Sequence, residues 1–220
     1  MDDSLPPLSA EEVRVLGALI EKQVTTPDYY PLTLHAVTNA CNQLTNREPV
    51  MSLDETAVVR TLERLREKRL ATLFTGAESR AAKYKHTLTD ALLLTPGEVS
   101  LLCVLLLRGP QTIGELRTRT ERMFAFDTLP EAEAALTTLA TRQPHPLVTK
   151  LARQPGTKES RYTHLLSGPV ESTPTVAAAA RQESASPPVE LQSQGERIAK
   201  LEQEVVELKQ QFAEFRKQLE

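Results

Sequence analysis

The sequence predicts a mainly α chain with small β-hairpins (α+β), built from two tandem copies of one small domain and closed by a C-terminal coiled-coil helix. Three observations predict it. Residues 94–108 (LTPGEVSLLCVLLLR) repeat residues 8–22 (LSAEEVRVLGALIEK) at an offset of 86, with Leu8/Leu94, Glu12/Glu98, Val13/Val99, Leu16/Leu102 and Leu19/Leu105 identical. A second echo follows in the same order, Lys83-Tyr84-Lys85-His86 against Arg161-Tyr162-Thr163-His164, at an offset of 78. Far downstream, Ile198, Leu201, Val205, Leu208, Phe212, Phe215 and Leu219 are spaced alternately by three and four residues, the a and d positions of heptads.

These patterns divide the chain into a first domain over 1–92, a second over 93–168, a linker over 169–195 and the coiled-coil helix over 196–220. In the first domain, Ser9 followed by Glu12 reads as a capping box that opens a helix running to about Gln23, with Val13, Leu16, Gly17 and Ile20 on its inner face. Pro27 and Pro31 end it. Leu32, Leu34, Ala36, Val37 and Ala40 support a second helix, and the Pro49-bearing stretch after it is a connection. Ser52 and Glu55 suggest another capping box, before a third helix that runs to about Arg69 with Val58, Leu62 and Leu65 at helical spacing. The period then changes to two: Leu70, Thr72 and Phe74 alternate, Gly76 turns, and Ala82, Tyr84, His86 and Leu88 alternate again, which is a hairpin.

Three helices followed by a hairpin is the order of a winged helix, whose second and third helices form the helix-turn-helix and whose hairpin is the wing. The second copy repeats the order, with a helix from Pro96, a short one from Ile113 to Arg122, a third from Thr128 to Thr141 opened by a Thr128/Glu131 box, and strands over 147–151 and 160–165. From Val99 to Leu107 only Ser100 is polar, so this helix must be covered on all sides by the other copy or by a second chain. The linker is rich in proline, serine and alanine. In the tail, β-branched Ile198 and Val205 at a with Leu201 and Leu208 at d favour a parallel two-stranded coil, and so a homodimer.

Composition sets bounds. With 26 Lys+Arg against 29 Asp+Glu the net charge is −3, so any attraction to nucleic acid must be local. Two cysteines cannot build a disulfide framework, no leader pattern opens the chain, and the longest apolar run, 101–107, is too short to cross a bilayer. A cytoplasmic protein without a membrane partner is expected.

The third helix of the first copy carries Arg60, Arg64 and Lys68 with Arg66 and Arg69, and the hairpin carries Arg80, Lys83 and Lys85. In a winged helix these are the places of a major-groove helix and a phosphate-touching wing, so double-stranded DNA is the expected partner. The competing account is a solvated face, since Glu63 and Glu67 interleave with Arg60 and Arg64 at ion-pairing spacing. In the second copy Glu131 and Glu133 occupy the corresponding helix, and Arg117, Arg119 and Arg122 on the helix before it are diluted by Glu115 and Glu121. Tyr84 and His86, like Tyr162 and His164, are expected to face inward. Cys103 is expected to pack as a small hydrophobe. His35 and Cys41 are six apart, off the spacing that would share a metal, and there is no CxxC, HExxH, phosphate-cradling glycine loop or nucleophile with its base. Neither a cofactor nor an enzymatic activity is expected.

The stretches YPLTLHAVTNACNQLTNREPVMSL (30–53), SRAAKYKHTL (79–88) and LLLRGPQTIGELRTRTERMF (105–124) closely resemble the YceH-like family of uncharacterised bacterial proteins. The resemblance covers about residues 8–166, with Ile113 where the family often has proline. It implies a tandem winged-helix fold and no established activity, and it leaves the tail aside. The second expectation for function, favoured by the absence of a global positive charge, is an adaptor that binds a protein partner through both winged helices.

Overall fold

In a computed structural model, which describes residues 6–74, 82–153, 156 and 159–170, Ser9 starts the first helix with the capping box its spacing predicts. The Glu12 amide donates to Ser9 Oγ at 3.2 Å and the Ser9 amide to Glu12 Oε2 at 2.7 Å. This helix, α1 (Ala10–Thr25), leads through a 3-10 turn (Pro27–Tyr29) into a two-residue strand, β1 (Leu32–Thr33). Thr33 caps α2 (Leu34–Cys41), accepting from the Ala36 amide. The helix therefore starts after Leu32, which periodicity had placed in it; Leu32 pairs with Tyr84 in the sheet instead.

The third helix, α3 (Glu55–Glu67), is capped by Asp54, whose carboxylate accepts from the Ala57 amide at 2.7 Å. The expected Ser52/Glu55 box does not form, because Asn42 clamps Leu53 outside the helix with two reciprocal 2.8 Å bonds. Aspartate caps as well as serine. Arg69 turns the chain through the left-handed region (φ 59°) into β2 (Ala71–Phe74), which pairs antiparallel with β3 (Lys83–His86). A short helix, α4 (Leu88–Leu92), follows where alternation had extended the strand to Leu88.

The second half repeats the order. Thr95 and Glu98 cap α5 (Pro96–Arg108), and Thr112 and Glu115 cap α6 (Ile113–Thr120) after β4 (Gln111–Thr112). Then come α7 (Leu129–Thr141), β5 (Val148–Lys150) and β6 (Arg161–His164). Thr128 accepts from the Glu131 amide, but the Glu131 carboxylate accepts from Asp127, so the expected box closes on one side only. Both sheets are three-stranded and antiparallel in the same order, β1-β3-β2 and β4-β6-β5.

α1 and α5 pack on each other and join the halves into one core. Every residue of α5 from 97 to 107 is buried, and so is every residue of α1 from 12 to 20. The cover that the apolar α5 required is thus α1 of the same chain. The contact is close because Gly17 has no side chain: a Cβ there would lie 2.9 Å from Leu107 Cδ2. Leu16, Leu19 and Ile20 of α1 and Leu101, Leu102 and Leu105 of α5 are fully buried, each contributing about 1.5–3 kcal/mol by its burial.

Among the described residues no helix is long and apolar enough to cross a membrane. The linker beyond Val170, the coiled coil from Ile198 to Leu219, and Arg80 lie outside the described residues.

Candidate nucleic-acid interface

The cations expected to read DNA divide into two groups. Thr61, Arg64 and Lys68 form one ridge of α3, beside the buried Leu62 and Leu65, and that ridge meets the start of α1. Arg64 donates to Glu11 Oε2 at 3.0 Å and to Thr61 Oγ1 at 3.1 Å, and lies 3.7 Å from Glu12. Lys68 donates to Glu12 Oε2 at 2.8 Å and to the Pro7 carbonyl at 2.9 Å. Glu12 is buried, and burial alone would raise its carboxyl; the Lys68 ammonium, the Ser9 amide and Arg64 outweigh that and hold it below the usual range. One carboxylate therefore caps α1 and anchors α3. Arg64 pairs across to α1 rather than along its own helix, and no ion pair links Glu63 or Glu67 to Arg60 or Arg64 among the described residues.

Arg60, Arg66 and Arg69 are exposed and bond no carboxylate among the described residues. Glu63, Arg66 and Glu67 line a shallow depression of about 540 Å³ with Ala71 and Thr72 of β2. Lys85, exposed on β3, is in register with Thr72; Lys83, half-buried, is in register with Phe74. Tyr84 between them is half-buried like Lys83 and packs against the core, so the expected alternation is clear only from Lys85 to the buried His86. The His86 amide donates to Tyr30 Oη at 2.8 Å and its ring Nε2 lies 2.5 Å from Gln23 Oε1. Burial pushes His86 down to about 4, and does the same to His164, whose Nδ1 is buried without a partner among the described residues.

The connection between α2 and α3 spans 42–54, longer than the three- or four-residue turn of a simple helix-turn-helix. Two arginines that sequence reading passed over hold it. Arg14, fully buried, donates to the Cys41 carbonyl at 3.0 Å and the Pro49 carbonyl at 2.5 Å. Arg47, also buried, donates to Glu21 at 2.6 Å, to Gln43 at 2.9 Å and to the Ala40 carbonyl at 3.0 Å. The signal for Arg14 was present: a lone cation inside the apolar run Val13-Arg14-Val15-Leu16.

In the second half Arg117 is also committed inward, donating to the Phe126 and Asp127 carbonyls at 3.1 Å each. Arg119 pairs with Glu115 at 3.3 Å, and Glu131 and Glu133 are exposed on α7. Burial pushes the Cys41 thiol up to about 12 and raises Cys103 as well, so neither is a ready nucleophile. Among the described residues no cluster of three His, Cys, Asp or Glu side chains is placed to hold a metal.

A family model described as "Protein of unknown function, DUF480" matches residues 8–157. The chain is 54% identical over 208 residues to a UPF0502 protein of Opitutus terrae, covering 94% of this chain and 86% of that protein. It is 50% identical over 225 residues to a UPF0502 protein of Geotalea uraniireducens, covering 97% and 98%, and 47% identical over 208 residues to one of Aliivibrio salmonicida, covering 93% of each.

Proposed function

Because the chain belongs to the DUF480 family of proteins of unknown function, in keeping with its resemblance to the YceH-like proteins, we propose from its surface chemistry that it is a regulatory, double-stranded-DNA-binding protein of tandem winged-helix type. The observation that carries this reading is the run of cations in the first half that bond no carboxylate among the described residues. Lys85 is in register with Thr72, which borders the same depression as Arg66, and Arg60 and Arg69 lie exposed on the same helix and just past its end. In this reading Arg60 reaches a base edge, while Lys83, Lys85 and Arg80 meet phosphates. Arg64 and Lys68, bound to Glu11 and Glu12, are positioning residues that hold α3 on α1. The second half presents Glu131 and Glu133 and supports the first through the α1–α5 seam. Dimerisation rests on the tail alone, from Ile198 to Leu219, since α1 already covers the apolar α5.

A protein-binding adaptor is the second reading. Glu63 and Glu67 in the depression, and a net charge of −3, favour it. Fluorescence anisotropy on a labelled random duplex separates the two. DNA binding predicts an affinity that falls steeply with salt, each phosphate contact adding about 0.9 to the log–log slope. Replacing Lys83 and Lys85 together by alanine flattens that slope by up to about two. No salt-sensitive binding by the full-length protein leaves the adaptor.

A further inference from the structure

A second feature lies away from α3 and the hairpin. Where the C-terminal ends of α1 and α5 come together, a cleft of about 710 Å³ opens between the two halves, within the size range of small-ligand sites. Lys22, Arg108, Arg119 and Arg122 line it, with Glu21 as the one acidic lining residue among the described residues. Glu21 is already committed, since Arg47 donates to both of its oxygens at 2.6 and 3.1 Å. Val104, Leu107 and Met123 supply an apolar floor, and the exposed Leu44 an apolar rim.

Part of this charge has a local purpose. Lys22 and Arg108 sit in the last turns of α1 and α5, where a cation offsets the negative end of the helix dipole. Arg108 also donates to Asn46 Oδ1. Arg119 and Arg122 remain beyond that need. Arg119 has one ion pair, to Glu115 at 3.3 Å, and Arg122 has none among the described residues. Their closeness has an energetic consequence: burial and then the neighbouring Arg119 guanidinium push Arg108 below its ordinary value. Guanidiniums gathered with too few carboxylates repel one another, and a doubly charged anion relieves the repulsion while meeting their planar donor pairs.

The geometry points to a binding site for a small phosphate-bearing organic anion in this cleft, its phosphate held by Arg119, Arg122 and Arg108 and its body laid on Val104, Leu107 and Met123. The ligand touches both halves, with Lys22 and Asn46 from the first and Arg119 and Arg122 from the second. The site is independent of the proposed DNA face, which lies on α3 and β3.

Thermal unfolding of the full-length protein with inorganic pyrophosphate and with adenosine monophosphate, each against sodium chloride at equal ionic strength, tests it. A saturable upward shift with either probe, beyond that of the salt control, is expected. The Arg119→Ala/Arg122→Ala double variant should keep its ligand-free melting temperature within a few degrees and bind the same probe at least tenfold more weakly in calorimetric titration. No shift beyond the salt control, or a shift that survives in the double variant, overturns the site. If the double variant instead loses binding to a labelled duplex while neither small probe binds the wild type, the phosphates these arginines meet are those of nucleic acid, and the small-ligand site is likewise overturned.

Discussion

Cys103 Sγ lies 3.5 Å from the Gly17 carbonyl oxygen, so the α1–α5 seam closes on two residues that the repeat offset of 86 makes equivalent. A side chain at Gly17 would meet Leu107 Cδ2 at 2.9 Å and Leu106 Cβ at 3.1 Å. Gly17→Val should therefore destabilise the fold by about 1–3 kcal/mol through overpacking. At roughly 2–4 °C per kcal/mol for a chain of this size, a thermal melt reads the loss directly. Gly17→Ala should lose less, because alanine regains up to about 1 kcal/mol of helix propensity.

Arg14 is a buried cation whose bonds go to two carbonyl oxygens, those of Cys41 and Pro49. Arg14→Lys keeps the charge but cannot span both acceptors, so at least one carbonyl is stranded, at about 1–3 kcal/mol. A lower urea midpoint should be accompanied by faster hydrogen exchange of the Leu53 amide, since the connection it closes is loosened.

Two histidines make stability depend on pH in a defined window. His86 and His164 are pushed down to about 4 from an ordinary 6.5 by burial. Between those values the unfolded chain binds protons that the folded chain does not, so stability falls as pH drops from about 6.5 toward 4 and levels off below. Each contributes up to about 1.4 kcal/mol per pH unit within the window. His164→Leu should flatten the slope of urea-unfolding free energy against pH over that range, and adding His86→Leu should flatten it further. From about 4.5 downward Glu12, Glu21 and Glu115, whose carboxyls the fold holds below that ordinary value, add their own loss as the unfolded chain takes up protons that the folded chain does not.

Lys68 and Lys83 should respond in opposite ways. Lys68 is fixed to the buried Glu12 at 2.8 Å, whereas no carboxylate among the described residues bonds Lys83. Lys68→Ala should lower the melting temperature and leave the salt slope of DNA binding nearly unchanged; Lys83→Ala should do the reverse. Measuring both quantities on both variants checks the division of α3 and the hairpin into anchoring and contacting residues.

The repeat, the order of elements and the need to cover α5 were legible in the sequence because each rests on residues with a strong period: the identical leucines of the two first helices and the Tyr-x-His strands. The two-residue strands at Leu32 and Gln111 were not, since a strand so short has no period and exists only because β3 and β6 pair with it. The Asp54 cap was missed for a related reason: Ser52 has the right spacing, but the Asn42–Leu53 clamp that shifts the start is formed by residues eleven apart. At the candidate interface the composition of α3 was plain, but spacing along one helix favoured pairing Arg60 with Glu63 and Arg64 with Glu67. The partner came from α1, which only the tertiary packing brings near.

An isologous interface between identical subunits must present the same residue from both sides of its axis. With both sides in one chain, equivalent positions are released from that restraint, and here they have taken different work. Gly17 gives up its side chain to admit Leu107. The exchanged pair, Glu21 with Cys103 at the same offset, is instead polar: the Glu21 charge helps to raise the buried Cys103 thiol, and its carboxylate ties down Arg47. A seam divided in this way is satisfied only by its own other half. Two separately produced halves should recognise each other as a heterologous pair, and neither should be able to substitute a second copy of itself.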